Sequence, residues 1–283
     1  MFLSLPPWAV ARNVGWPEQA RIAARVGYKG IDWSFAPAKA EGVAATRLLL
    51  AELGVVPTIV NLPMPSPMVS DEAAFDAQLA KLGEDAAFSQ AIGCSRFHFV
   101  VPPTTPTGTT KAEYWIFVQR RLSAIAAVLA RYDVRLCLEF LGPLHFRARP
   151  GAVGFVWTLP ETLRLCEASA PNVGMTLDAW HWHHSGGTVA DIRAVPRSRI
   201  VHVHVSDARA MPPEEVRDDV RLLTGEGVID LMGFFHALQA IGYQGGVSPE
   251  TLGPRIPDGM SAEESARIAL EATVAVMKRA GVG

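Results

Sequence analysis

Residues 172–178 read NVGMTLD and residues 199–205 read RIVHVHV, and these two stretches decide the fold. Each is a short run rich in β-branched and apolar residues, and each carries an ionisable side chain near its end. Between them, residues 188–194 show a helical pattern. Strand, helix, strand is the unit of a parallel sheet. Working outward, the same alternation repeats along the chain. Further strands are expected near 2–5, 30–33, 55–60, 95–101, 134–139 and 245–250. Helical patterns occupy 16–26, 37–53, 71–92, 111–131, 159–169, 230–241 and 261–280. Gly27, Gly54, Gly93 and Gly242 stand just past helix ends, where the chain must turn left-handed. Eight strand–helix units in 283 residues fit a single-domain (β/α)8 TIM barrel. An open doubly wound sheet is disfavoured because no GxGxxG follows any strand, and a Walker A loop is also absent.

Composition narrows the class. The chain is 49% hydrophobic and 19% charged, with net charge −2, which argues against a nucleic-acid coat. No segment resembles an uncharged membrane span. The opening MFLSLPPWAV lacks a basic leader region and carries Pro-Pro, so it reads as a first strand rather than a signal peptide. Three cysteines, at 94, 137 and 166, form no CxxC pair and point to a reducing cytoplasmic setting. No low-complexity linker divides the chain, so one domain is expected over 1–283. The longest non-helical stretch, Ser206 to Ile229, is a candidate lid, binding loop or oligomer contact. It leaves a homo-oligomer open.

Side-chain alternation then picks out a site. Residues two apart along a strand share a face. Leu136 and Leu138 are expected to meet the helices, which turns Cys137 and Glu139 inward. Val173, Met175 and Leu177 face out, leaving Gly174, Thr176 and Asp178 inside. Val201, Val203 and Val205 face out, leaving His202, His204 and Ser206 inside. Val247 faces out, and Gly246, Ser248 and Glu250 face in. Glu139, Asp178, His204 and Glu250 therefore share the inner face at four successive strand ends. Active sites of barrels are built at that rim. Three convergent carboxylates repel strongly at low dielectric, and a divalent cation relieves the repulsion. The oxygen-rich set suits one Mn, Co, Zn or Mg ion.

LEF around Glu139, LDAWHWH at 177–183, HVHVSD at 202–207, GEGVID at 225–230 and SPE ending at Glu250 together resemble the xylose-isomerase-like TIM-barrel superfamily. Within it the pattern is most similar to the inosose (2-keto-myo-inositol) isomerase branch. The motifs are dense only from about 134 to 252. The resemblance implies Glu139, Asp178, His204 and Glu250 as metal ligands. It also implies proton transfer beside a carbonyl through a metal-stabilised enediolate, with Glu139 and Glu250 as base and acid. His181 matches a position that binds a substrate oxygen, and holding Asp178 is its other reading.

The remaining candidates are read from the residues. His145 sits on the rim loop as a substrate contact, a separate base or an ordinary loop histidine. Trp180 and Trp182 wall a sugar-sized pocket or pack beneath a helix. Asp207 orients His204, pairs with the candidate substrate contact Arg209, or caps its loop. His202 is interior packing below the metal. No lysine ends a strand, which disfavours Schiff-base chemistry. Ligands for a second or third metal are missing, with His98 as one lone extra histidine, so DNA repair of the endonuclease IV kind is disfavoured. The expected activity is a metal-dependent isomerase or epimerase acting on a small-molecule keto-sugar or keto-polyol. β-Elimination from a 3-keto sugar or inosose is the rival at the same site, and a non-catalytic sugar-binding barrel is the rival of another class.

Overall fold

A computed structural model of the chain describes residues 1–148, 150–253, 256–257 and 259–282. The strands are β1 (Phe2–Leu5), β2 (Gly30–Ile31), β3 (Val56–Pro57), β4 (Val60–Asn61), β5 (Arg96–Val100), β6 (Arg135–Glu139), β7 (Val173–Asp178), β8 (Ile200–Val205) and β9 (Gly246–Pro249). All pair in parallel, in the order β3-β2-β1-β9-β8-β7-β6-β5-β4. The two ends of that order, β3 and β4, belong to one chain run interrupted at Thr58–Ile59. The first half pairs with β2 and the second with β5. The sheet thereby closes into eight strand positions, the (β/α)8 barrel that the alternation predicts.

Helices pack outside each strand because one stripe of each is apolar and the sheet's outer face is apolar too. Leu136, Leu138, Val173, Met175, Leu177, Val203, Val205 and Val247 are fully buried between sheet and helices, as alternation requires. Local chemistry fixes the helix ends. Thr110 and Glu113 form a reciprocal capping box at the start of the helix Lys111–Ala130. Gly27, Gly54, Gly93 and Gly242 all have positive φ, as their positions demand. The pattern over 37–53 is two helices, Phe35–Glu41 and Val43–Leu53, because Gly42 at φ 85° and ψ 165° leaves the helical region. Among the described residues no helix is long and apolar enough to cross a membrane.

Alternation fails at one residue. The β7–β8 register slips between Met175 and Thr176, so Val201 is an extra residue on β8. Val201 turns inward instead of out and packs with Ile59 and Cys137 as a small apolar plug inside the barrel. Gly174 makes room for it, since a Cβ there would strike the Val201 side chain and lie 2.7 Å from the Arg199 carbonyl oxygen. Above this plug lies a buried polar layer of Ser4, Asp32, Thr58, His202 and Ser248. The carboxylates stand above that layer.

Candidate metal centre at the barrel mouth

β6, β7, β8 and the residue after β9 bring Glu139, Asp178, His204 and Glu250 together at the C-terminal end of the barrel. One ligand-type atom from each lies within 4.8 Å of the others. His204 Nδ1 lies 3.1 Å from Glu139 Oε1 and 3.2 Å from Glu250 Oε2. Asp178 is fully buried, and its Oδ1 accepts the Trp180 amide at 2.8 Å, which fixes the carboxylate's direction. Its Oδ2 accepts from Arg221 Nη1 at 2.7 Å, and the same nitrogen donates to Glu250 Oε2 at 3.0 Å.

The outer oxygens are also held. His98 Nε2 is 3.2 Å from Glu139 Oε2, and His98 Nδ1 is 2.9 Å from Asn61 Oδ1. The Trp8 indole donates to Glu250 Oε1 at 3.0 Å. With Nδ1 turned to the carboxylates, the Nε2 of His204 faces Asp32 Oδ2 at 3.9 Å, and His202 Nε2 lies 3.4 Å from the same oxygen. Asp32 Oδ1 accepts the Ser4 and Thr58 hydroxyls. A carboxylate behind a ligating imidazole is the usual means of setting its tautomer and orientation. Trp8, Asn61, His98, Glu139, Arg221 and Glu250, with Leu141, Phe146, His181 and Asp218, surround a cavity of about 340 Å³.

Burial and charge act against each other here. Burial disfavours a charged His204, but Glu250 and Glu139 outweigh it and hold the imidazole well above its ordinary range. Burial would raise Glu139 and Glu250, yet His98 and His204 pull the first well down, and His204 and Arg221 pull the second down. Asp178 goes the other way: burial, with Glu250 and Glu139 adding to it, outweighs Arg221 and raises its carboxyl. Three carboxylates facing one guanidinium and one imidazole carry unrelieved negative charge. Among the described residues, three oxygen donors and one nitrogen donor on convergent strand ends fit a divalent cation.

The structure gathers four of the expected residues at the centre and places the others around it unequally. His181 lines the cavity, with Nε2 3.6 Å from Asp178 Oδ2 and 3.3 Å from Arg221 Nη2, so it stands beside both Asp178 and the open space. Trp180 does not wall the cavity; it is fully buried beside Arg221, 5.4 Å from ring centroid to guanidinium. Its place one residue into the helix Ala179–His184 turns it under the site. Arg209 is exposed and lines a neighbouring cavity with Arg147, Trp157 and His184. His145 stacks on Phe146, ring centroids 4.0 Å apart, and Phe146 rather than His145 faces the mouth. Asp207 caps its loop, accepting the amides of Ala208, Gly225 and Ile229. His202 lies in the layer below, as expected.

Four contributors escaped the sequence reading. Asp32, within GIDW, is an acid just after a strand, so its signal was present, although it sits one layer below the chosen acids. Trp8 directly follows the Pro-Pro after β1, another rim position. Arg221 and Asp218 lie in the long 206–229 loop, where no periodicity says which residue returns to the centre.

A closed (β/α)8 barrel with a buried carboxylate–imidazole cluster at its C-terminal mouth defines the class: a barrel with a candidate cation site beneath a small cavity. The chain belongs to the xylose isomerase-like TIM barrel family, whose family model matches residues 20–273. It is 28% identical over 179 residues to an inosose isomerase of Halalkalibacterium halodurans, covering 63% of this chain and 61% of that protein. The match thus spans about three-fifths of that relative's length. Among solved structures, a xylose isomerase domain protein from Alicyclobacillus acidocaldarius superposes with TM-score 0.88 at 29% identity, covering 99% of both chains. The IolI protein with a bound zinc atom superposes with TM-score 0.83 at 21% identity, again over 99% of both chains.

Proposed function

We propose that the chain is an isomerase or epimerase of a small keto-polyol or keto-sugar, dependent on one divalent ion held by Glu139, Asp178, His204 and Glu250. A divalent ion there supplies Lewis-acid polarisation of a substrate carbonyl and its adjacent hydroxyl, a contribution of several kcal/mol. The reading rests on one observation above all: two carboxylates, Glu139 and Glu250, face each other across a single imidazole nitrogen at the floor of the cavity. A substrate carbon held between them presents one face to each. One carboxylate takes the proton beside the carbonyl, and either carboxylate returns one. Return to the former carbonyl carbon, with a proton passing between the two oxygens, moves the carbonyl, and return to the original carbon from the opposite face inverts the centre. Positioned proton transfer of this kind contributes roughly 10²–10⁴-fold.

The chain's other residues serve that transfer. The Trp8 indole and the His98 ring hold the outer oxygens of the two carboxylates and keep their planes fixed. Arg221 and His181 stand at the cavity wall, Arg221 Nη2 donating to His181 Nε2, where substrate hydroxyl or carbonyl oxygens would meet them. The cavity, about 340 Å³, is at the small end for ligand sites, which favours a monosaccharide-sized substrate over an oligosaccharide. The inosose isomerase relative supports a cyclic keto-polyol as the first compound to assay.

The test is proton NMR in D₂O with inososes and ketohexoses, after the metal content of the purified protein has been measured. Deuterium should enter the carbon beside the carbonyl of an intact skeleton. Release of water or an aglycone would assign a lyase instead. Glu139→Gln and Glu250→Gln should each lose the ion and the exchange, and a fully active Glu250→Gln protein would overturn the mechanism.

A further inference from the structure

At the opposite end of the barrel lies a larger cavity, about 680 Å³. Its walls carry three arginines: Arg96 and Arg135, which begin β5 and β6, and Arg197, just before β8. Arg135 begins the strand that ends at Glu139, so the cavity lies about 13 Å from the metal centre along β6. The polar partners of Arg96 and Arg135 are backbone carbonyls. Arg96 Nη1 donates to the Thr58 oxygen at 3.2 Å, and Arg135 donates to the Ser198 oxygen. Nearby, Arg199 donates to the carbonyls of Ala170 and Val173. Among the described residues, none of these four arginines is paired with an Asp or Glu.

A guanidinium has five N–H donors, so one carbonyl leaves Arg96 and Arg135 with most of their capacity unused. Like charges are gathered here against their own repulsion. Burial lowers Arg135's affinity for its proton, and Arg96 and Arg199 lower it further. Elsewhere the chain neutralises its buried arginines: Arg121 meets Glu72 at 2.8 Å, and Arg221 meets two carboxylates of the centre. At the barrel floor Arg96, Arg135 and Arg199 are half-buried and Arg197 exposed, and among the described residues no carboxylate meets them. The hydroxyl-bearing Ser95 and Ser198 and the amide-bearing Gln244 line the same walls, and no carboxylate does.

We propose that this cavity is a second binding site, for a phosphate dianion, either free or carried by a small metabolite. The planar forks of Arg96, Arg135 and Arg197 match tetrahedral oxyanion geometry, and a dianion relieves the repulsion among them. The site is independent of the mouth and needs no metal.

Thermal unfolding and titration calorimetry of the metal-loaded protein test it, with inorganic phosphate and glycerol phosphate as probes and chloride at matched ionic strength as control. Saturable stabilisation by either probe is expected, and the stronger of the two identifies the source. Arg197 is exposed and makes no hydrogen bond that supports the fold, so Arg197→Gln should fold normally. That variant should bind the preferred probe about tenfold more weakly, and Arg197→Lys should retain part of the affinity. Turnover at the mouth without phosphate should be unchanged in both. Absence of saturable binding, or undiminished binding in Arg197→Gln (the result if phosphate sits at the mouth instead), overturns the proposal.

Discussion

Replacing Arg221 with methionine is the most informative perturbation of the centre. The guanidinium is fully buried, and its Nη1 alone bridges Asp178 Oδ2 and Glu250 Oε2 at 2.7 and 3.0 Å. Methionine fills much of the same volume and removes the charge. In chelator, the variant keeps three buried carboxylates with His204 as their remaining counter-charge. Breaking a buried pair by deleting one partner costs about 3–5 kcal/mol. At about 2–4 °C per kcal/mol for chains somewhat smaller than this one, the melting temperature should fall by about 6–20 °C. A divalent ion supplies what was lost. The same variant should therefore gain more from added Mn²⁺ or Zn²⁺ than the parent does, narrowing the gap between them. The assay is a pair of melting curves for each protein, in chelator and in metal. A metal-free Arg221→Met protein melting within about 2 °C of the parent would show that Arg221 does not balance the cluster.

Other expectations follow from separate parts of the molecule. His184 is half-buried without an acidic partner among the described residues, and burial, with the nearby His183 and His181, pushes it down from 6.5 to about 3. The unfolded chain then binds the proton more readily, so stability should fall as pH drops from about 6.5 towards 3, and His184→Leu should flatten that part of a melting-temperature profile. Gly174→Ala places a Cβ against Val201 and 2.7 Å from the Arg199 oxygen. It should destabilise by about 1–3 kcal/mol in urea melts, with Val201→Ala restoring part of the loss. Trp8→Phe removes the indole donor from Glu250 Oε1, so kcat should fall while bound metal stays at one ion per chain. Thr110→Ala should cost about 1 kcal/mol of stability and leave turnover untouched, because it removes only a helix cap.

The barrel was readable because its signals are local and repeated. Each strand needs a few apolar residues in alternation, each helix an apolar stripe and a cap, and eight repeats reinforce one another. The inner quartet was readable for the same reason, since parity propagates along a regular strand. Parity breaks where a residue is inserted, and nothing in RIVHVHV distinguishes the bulged Val201 from its neighbours; only the tight partner surface at Gly174 does. Arg209 and Arg221 show the other limit. Both lie in the 206–229 loop, and the one nearer to His204 in sequence points away, whereas the more distant one returns to the centre. Loop residues reach a site through closure of the chain in space, which no period encodes. Asp32 was missed for a lesser reason: β2 is only two residues long, so its end is poorly marked.

The anchoring of the 206–229 loop has a consequence for how such a barrel diversifies. One buried carboxylate, Asp207, gathers the amides of Ala208, Gly225 and Ile229, so both ends of the loop are tied to the end of β8. What lies between, including Asp218 and Arg221, hangs from a closed clasp. The mostly exposed residues Arg209 to Glu215 inside the clasp can be exchanged, lengthened or shortened without disturbing the strand that carries His204 or the contacts of Arg221 with Asp178 and Glu250. A stretch that can vary apart from the centre thus lies beside it, and replacing Arg209 to Glu215 should shift selectivity while leaving the contacts of Arg221 intact.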